Sequence, residues 1–416
     1  MNEPIIVLVG FTLAAISSLQ TMHERYRVLI IEEPDVIRKR NITALIEGKD
    51  IVYDLLPYEY QHLYAADALY ASLKELNIVS VVPAVEYATC CAARLAERFN
   101  VPGATYGASL LMRDKSKLRN VSKAFGINNP KSEAITTYQQ AEEFFMSSQG
   151  AIILKPSNRQ GSVGTVIVHD KDKLFDSWAL AQVKDEGAMV PDREFISETL
   201  IEEFITGNEY SVEALVKDNE IIFSNVTQKL LFDGVRPVEK GHIVPALLEL
   251  KYQNELVELT QKLVSAVDFR YGVVHCEWIH NEKGFYLVEC AGRFPGDGIV
   301  ELIERAYCYD VVRNYHCLMR GQQIETPPNE NQHHAMIHFY GGEEGTIKKI
   351  KINDDLINEL GVFNFSLSIK DGDQTFYPES SWHRNGSAML IANSQQELKD
   401  KIALLGNTVV ITYEDR

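Results

Sequence analysis

The chain has 416 residues, 45% of them hydrophobic and 24% charged, with a formal net charge of -17. That much apolar content excludes a disordered chain and supports about two to four domains or subdomains. The acidic excess excludes phosphate neutralisation of nucleic acid as the main activity, because that needs clustered Lys and Arg.

Six cysteines, Cys90, Cys91, Cys276, Cys290, Cys308 and Cys317, lack CxxC spacing and sit in apolar surroundings. They read as reduced thiols of a cytoplasmic protein rather than a disulfide frame or a zinc site. The early run IIVLVGFTLAAI follows Glu3 instead of a basic segment and has no convincing cleavage pattern, so a signal peptide is not expected. It is also too short to span a bilayer, and no membrane partner is expected.

In chain order, residues 4–10 read as a buried strand, 11–22 as a helix, 26–31 as a second strand and 51–54 as a short third. Helical spacing follows at 65–76, a buried strand at 79–82, and an amphipathic helix at 86–99 ended by Asn100-Val101-Pro102-Gly103. This alternation predicts a doubly wound, parallel α/β domain. Gly10 closes the first strand as a ligand-facing turn would, but no GxGxxG follows, which argues against a dinucleotide site.

Beyond Pro102-Gly103, residues 109–124 form a charged helical stretch containing Arg113-Asp114-Lys115, broken at 126–130. A strand at 151–155 delivers Lys155 and is followed by SNRQGSVGTVIV, where Gly161, Ser162 and Gly164 make a small turn between two strands. The N–H groups of such a turn can hold phosphate oxygens, although most glycine turns are only hairpin tips. The segment 195–216 places Glu202, Glu203 and Glu209 around Phe204-Ile205. It reads either as a hinge strand whose backbone takes an adenine ring, with Glu209 on the ribose, or as an edge strand protected by its charges.

Residues 271–300, YGVVHCEWIHNEKGFYLVECAGRFPGDGIV, hold two apolar runs around the turn His280-Asn281-Glu282-Lys283-Gly284, the pattern of a β-hairpin. Glu277 and Glu289 interrupt those runs where a strand would normally carry Val or Ile, and the hairpin places them nearly opposite one another. Either they pair with basic neighbours inside a buried hairpin, or together they make a hard-oxygen site suited to Mg²⁺. Arg293 follows, among Gly292, Gly296 and Gly298, which permit close approach of backbone to a ligand.

This order of features resembles the ATP-grasp superfamily: an initial α/β domain, RDK, a strand-ending LKP, a glycine turn, EEFITGNEYSVE, and a carboxylate hairpin closing in ECAGR. The likeness runs from about residue 4 to about residue 321, most specifically over 81–107 and 115–298. Within the superfamily, HCEW, ECAGR and the EKGHIVPA run at 239–246 look most like the L-amino acid ligases, which make dipeptides.

The resemblance implies an ATP-grasp fold with an N-terminal doubly wound α/β domain (1–108), a lid subdomain (109–195), an ATP-binding α+β body (196–325) and a small C-terminal α+β domain (326–416). It also implies ATP and Mg²⁺ as cofactors, with Mn²⁺ as a substitute. Lys115 and Lys155 would hold the phosphates; Gly161, Ser162 and Gly164 would form a lid over them; Glu202 would belong to the ATP site, backbone groups near Glu203 and Ile205 would bond the adenine, and Glu209 would bind the ribose. Glu277 and Glu289 would bind the metal, and Arg293 would steady the transferring phosphoryl group. His275 would assist catalysis, and His242, Gly296 and Asp297 would lie by the amino acid substrates. One departure is Ala291, where many ATP-grasp enzymes carry a metal-binding Asn, so the metal count stays open.

The C-terminal strands expected at 334–339, 346–352 and 409–412 carry no catalytic motif. The expected activity is an amide-forming ligase that activates one amino acid as an acyl phosphate and captures it with the amine of a second. Alternatives are ligation of another amine or carboxylate, or a nucleotide-binding module without turnover. A homodimer is among the assembly states left open.

Overall fold

The computed structural model describes residues 3–22, 26–62, 64–159, 164–182, 187–193, 198–233, 237–378 and 380–414. Its first strand, Ile5–Val9, is buried at every position, as a strand covered on both faces must be. It lies second from the end of a four-stranded parallel sheet ordered Val52–Pro57, Arg27–Glu32, Ile5–Val9, Ile78–Pro83. The strand order reverses at Ile5–Val9, so a crevice opens beyond the carboxyl ends of Ile5–Val9 and Ile78–Pro83, where doubly wound sheets bind ligands. Gly10 stands at that point with φ of +78°, and a Cβ there would meet Val85 Cγ2 at 2.6 Å. The turn therefore needs glycine.

The expected helical stretch at 109–124 is two helices, Tyr106–Arg113 and Lys115–Ala124. Asp114 leaves the helical region and its carboxylate caps the second helix, accepting from Ser116 N (3.0 Å) and Lys117 N (3.3 Å). An Asp is favoured as a cap because it satisfies amides with no partner within their own helix. The apolar periodicity hid the break, since Met112 and Leu118 are buried in the same core on either side of it.

The lid sheet is antiparallel, ordered Ser132–Ile135, Thr199–Glu203, Ile152–Pro156, Val166–Val168. Ile135, Phe144, Leu154 and Ile201 form its core against the helices Tyr138–Ser147 and Leu174–Ala181. The expected lid residues Gly161 and Ser162 lie outside the described residues; Gly164 is described, with φ of +71°.

The large sheet has eight strands, in the order Gly284–Ala291, Gly272–Asn281, Asn208–Lys217, Glu220–Leu231, Glu239–Val244, His334–Tyr340, Gly386–Ala392, Val362–Leu367. The strands at 334–340, 362–367 and 386–392 thus continue the body's sheet across the boundary expected at 325/326. A separate three-stranded sheet of Gln374–Thr375, Gly345–Ile352 and Val409–Tyr413 caps that end. No helix among the described residues is long and apolar enough to cross a membrane.

Candidate active site

A cavity of about 830 Å³ lies where the N-terminal crevice, the lid sheet and the large sheet meet. The hairpin Gly272–Asn281/Gly284–Ala291 supplies its floor, with Glu277 directly opposite Glu289 in the register. Each acid has a lysine partner: Lys229 for Glu277, and Lys115 Nζ for Glu289 at 2.8 Å. Both readings of the pair therefore meet in one place, since the acids are charge-compensated and also line the cavity. Burial opposes their ionisation, but Lys229 and His275 take Glu277 well below the usual carboxylate range, and Lys115 lowers Glu289. Two ionised, adjacent carboxylates on rigid strands fit a magnesium ion that keeps water or phosphate oxygens for the rest of its shell.

His275 is buried between two acids, with Nδ1 2.9 Å from Glu213 and Nε2 3.1 Å from Glu277. Burial disfavours its charge, yet the two carboxylates raise its pKa to about 9. His275 was expected to assist catalysis; here both of its ring nitrogens are engaged by carboxylates, one of them Glu277. Glu213 is held in turn by Ser211 Oγ (2.6 Å), Asn225 Nδ2 (2.9 Å) and Thr227 Oγ1 (2.6 Å). Such outer partners fix a metal ligand's orientation.

Lys155 ends its lid strand at the cavity and bonds Glu202 at 2.6 Å; Arg119 Nε bonds the other oxygen of Glu202 at 2.6 Å. Burial raises the acid's pKa, but the two cations outweigh it and bring Glu202 down to about 2. Lys155 goes below the usual lysine range, first by burial and then through its cationic neighbours Arg119 and Lys115. Here two cations share one carboxylate, an imbalance that a polyanion such as a triphosphate would relieve. Glu202, expected in the ATP site, lines the cavity and at 1% exposure is the buried anchor of these two cations.

The end of the cavity where adenine is expected is formed by the link between the strands Thr199–Glu203 and Asn208–Lys217, which belong to different sheets. Glu203, Phe204, Ile205 and Glu209 line it with Ile153, Ile279 and Val288. The N–H of Glu203 is already donated to Lys131 O at 2.9 Å, so that group is engaged within the lid. Burial lifts the Glu209 carboxyl to about 7, giving it both donor and acceptor capacity near neutral pH.

Arg293 donates through Nε to Glu86 at 3.0 Å and through Nη1 to Phe294 O at 2.8 Å. Asp297 is gripped by Arg384 at 2.8 and 2.6 Å and by His242 at 3.3 Å, which holds its carboxyl below the usual range against the opposing effect of burial. Asp297, expected beside the substrates, lines the cavity and also joins the body to the C-terminal segment. Nδ1 of His242 is buried with no partner among the described residues and lines the cavity. The glycines divide. Gly296 is open, whereas a Cβ at Gly298 would meet Met389 Cε at 2.2 Å and one at Gly292 would meet Phe269 at 3.0 Å. At those two positions the close approach expected for a ligand is made instead by protein side chains.

Sequence reasoning missed Glu86, Arg119, Glu213, Lys229 and Arg384. Each is remote in the chain from its partner, so only the fold unites them. Two carried a local signal: Glu86 stands just beyond the carboxyl end of a buried strand, and Lys229 occurs inside the strand Glu220–Leu231.

Residues 148–301 match the ATP-grasp domain. The alanine–anticapsin ligase of Bacillus subtilis (strain 168) is 24% identical over 237 residues, covering 53% of this chain and 49% of that protein. The chain thus spans about half the length of that relative. An L-arginine-specific L-amino acid ligase of Bacillus subtilis is 22% identical over 325 residues, 74% of each chain. The crystal structure of an L-amino acid ligase from Bacillus licheniformis superposes with a TM-score of 0.76 at 18% identity, covering 100% of this chain and 99% of that one.

Proposed function

We propose, from the premise that this is an ATP-grasp protein, that it is an ATP-dependent ligase joining two L-amino acids into a dipeptide through an acyl phosphate. The observation that carries this reading is the Glu277–Glu289 pair, opposed in register and flanked by Lys115 and Lys155, in one cavity with the Arg293–Glu86 ion pair.

Lys115 and Lys155 bind the phosphates of ATP as compact point charges. Glu277 and Glu289 would hold magnesium, which would supply positive charge against the phosphates. Glu209 takes the ribose hydroxyls. Arg293 orients the substrate carboxylate, whose oxygen attacks the γ-phosphorus while ADP leaves, and it neutralises the charge that develops there. Glu86 faces the α-ammonium of the same amino acid. The amine nitrogen of the second amino acid then attacks the acyl carbon, expelling phosphate and losing its proton to solvent. Catalysis on this reading is mostly positioning and charge stabilisation.

A matrix of amino acid pairs assayed for ADP release and dipeptide tests it. The expected products are ADP and phosphate, formed only with a carboxylate substrate present. Release of AMP and pyrophosphate would overturn the acyl-phosphate route.

A further inference from the structure

The cavity continues past Arg293 toward the N-terminal sheet as an apolar lobe walled by Ala15, Val82, Ala84, Val300, Val312 and Tyr315. All six belong to one hydrophobic cluster or pack against it. The walls come from the helix Leu13–Thr21, the carboxyl end of the strand Ile78–Pro83, and the helices Ile299–Tyr307 and Val311–Met319.

The titratable groups within the lobe are uncharged. Burial pushes the Tyr315 phenol further above its usual range, and burial followed by Arg320 pushes the His316 imidazole down to about 3. Charge is confined to the mouth, where Arg293 and Glu86 stand 3.0 Å apart, each adjacent in the chain to a cavity-lining apolar residue, Phe294 and Val85. A cation, an anion and an apolar recess at one point match the three substituents of an α-amino acid: carboxylate, ammonium and side chain.

We propose that this lobe receives the side chain of the acyl-donating amino acid, and that this side chain is uncharged and apolar, in the size range of leucine, methionine or phenylalanine. The proposal rests on the ligase reading above and adds the donor's chemical class. An ionic side chain in the lobe would lose its hydration and find no counter-ion. A methyl or hydrogen side chain would leave apolar walls unfilled.

Hydroxylamine in place of the second amino acid isolates the donor step, because it traps the acyl phosphate as a hydroxamate with loss of phosphate. Full-length protein with ATP and magnesium is assayed against glycine, alanine, leucine, methionine, phenylalanine, aspartate and lysine. Leucine, methionine or phenylalanine should exceed glycine, aspartate and lysine by at least about 10-fold in kcat/KM. Ala15→Phe and, from the opposite wall, Val300→Phe narrow the lobe without touching the charged pole. In a folded variant of either kind, kcat/KM with leucine should fall by at least about 10-fold relative to kcat/KM with alanine. Donation by aspartate or lysine at the rate of leucine, or an unchanged profile in a folded variant, overturns this inference and leaves the ligase reading standing. Absence of hydroxamate with every amino acid overturns that reading itself.

Discussion

At the scale of single residues, the site works by placing charge where burial would otherwise remove it. Glu289→Gln keeps the side chain's shape but removes one of two adjacent carboxylates, and it should lower ADP formation by more than about 10²-fold at ordinary Mg²⁺ with an unchanged circular dichroism spectrum. Near-native turnover in that variant would sink the metal assignment. Arg293→Ala should cost about 10²-fold or more in the same assay while ATP still binds by calorimetry, because the lysines and the adenine end stay in place. Away from the site, Glu32 is 2% exposed and burial lifts its carboxyl from 4.5 to about 7. The folded chain thus keeps a proton that the unfolded chain releases, so stability falls as pH rises from about 4.5 through about 7. Glu32→Gln should flatten thermal stability across that window, by at most about 3 kcal/mol at neutral pH. An unchanged pH profile would show that Glu32 is not the group responsible.

At the scale of elements, the helix Lys115–Ala124 begins at the residue that reaches Glu289, so its start position is a functional quantity. Asp114 caps that start through Ser116 N and Lys117 N, and Lys115 Nζ also donates to Arg159 O at 2.8 Å on the segment after Lys155. Asp114→Ala should cost about 1 kcal/mol in stability, the usual value of a lost cap. It should also raise the KM for ATP, because fraying of the first turn releases Lys115. A variant with the expected stability loss and an unaltered KM would separate the cap from nucleotide binding.

At the scale of the whole molecule, the N-terminal domain and the lid are latched together. Arg193 bonds Glu33 at 2.8 and 2.7 Å, Lys39 pairs with Asp192, and Val190 is buried in the core of the N-terminal domain. Glu33 is fully buried, so Arg193→Ala leaves a carboxylate without its bidentate partner and should destabilise the fold by about 2–4 kcal/mol, near the range for a broken buried pair. Chemical denaturation would measure this. Glu33→Gln with Arg193→Ala should recover part of the loss, and failure to recover any would place the cost elsewhere than in the stranded charge. At the opposite end, Arg384 on Asp297 and Met389 against Gly298 join the C-terminal segment to the cavity rim, and backbone pairing of His334–Tyr340 with Glu239–Val244 continues the large sheet into it.

By itself the sequence determined whatever depends on local period and on single conspicuous residues. The buried parallel strands were legible from their unbroken apolar runs and the hairpin from its turn; two-residue alternation alone would pair Glu277 with Val288, and a register shift between Glu277 and Trp278 brings it opposite Glu289. The same alternation could not show which cations meet those acids, because Lys115 and Lys229 arrive from distant segments. Nor could it distinguish a histidine that reacts from one clamped by Glu213 and Glu277, or a glycine that admits a ligand from one that admits Met389. Those outcomes depend on contacts between segments far apart in the chain, and only the packed tertiary structure decided them.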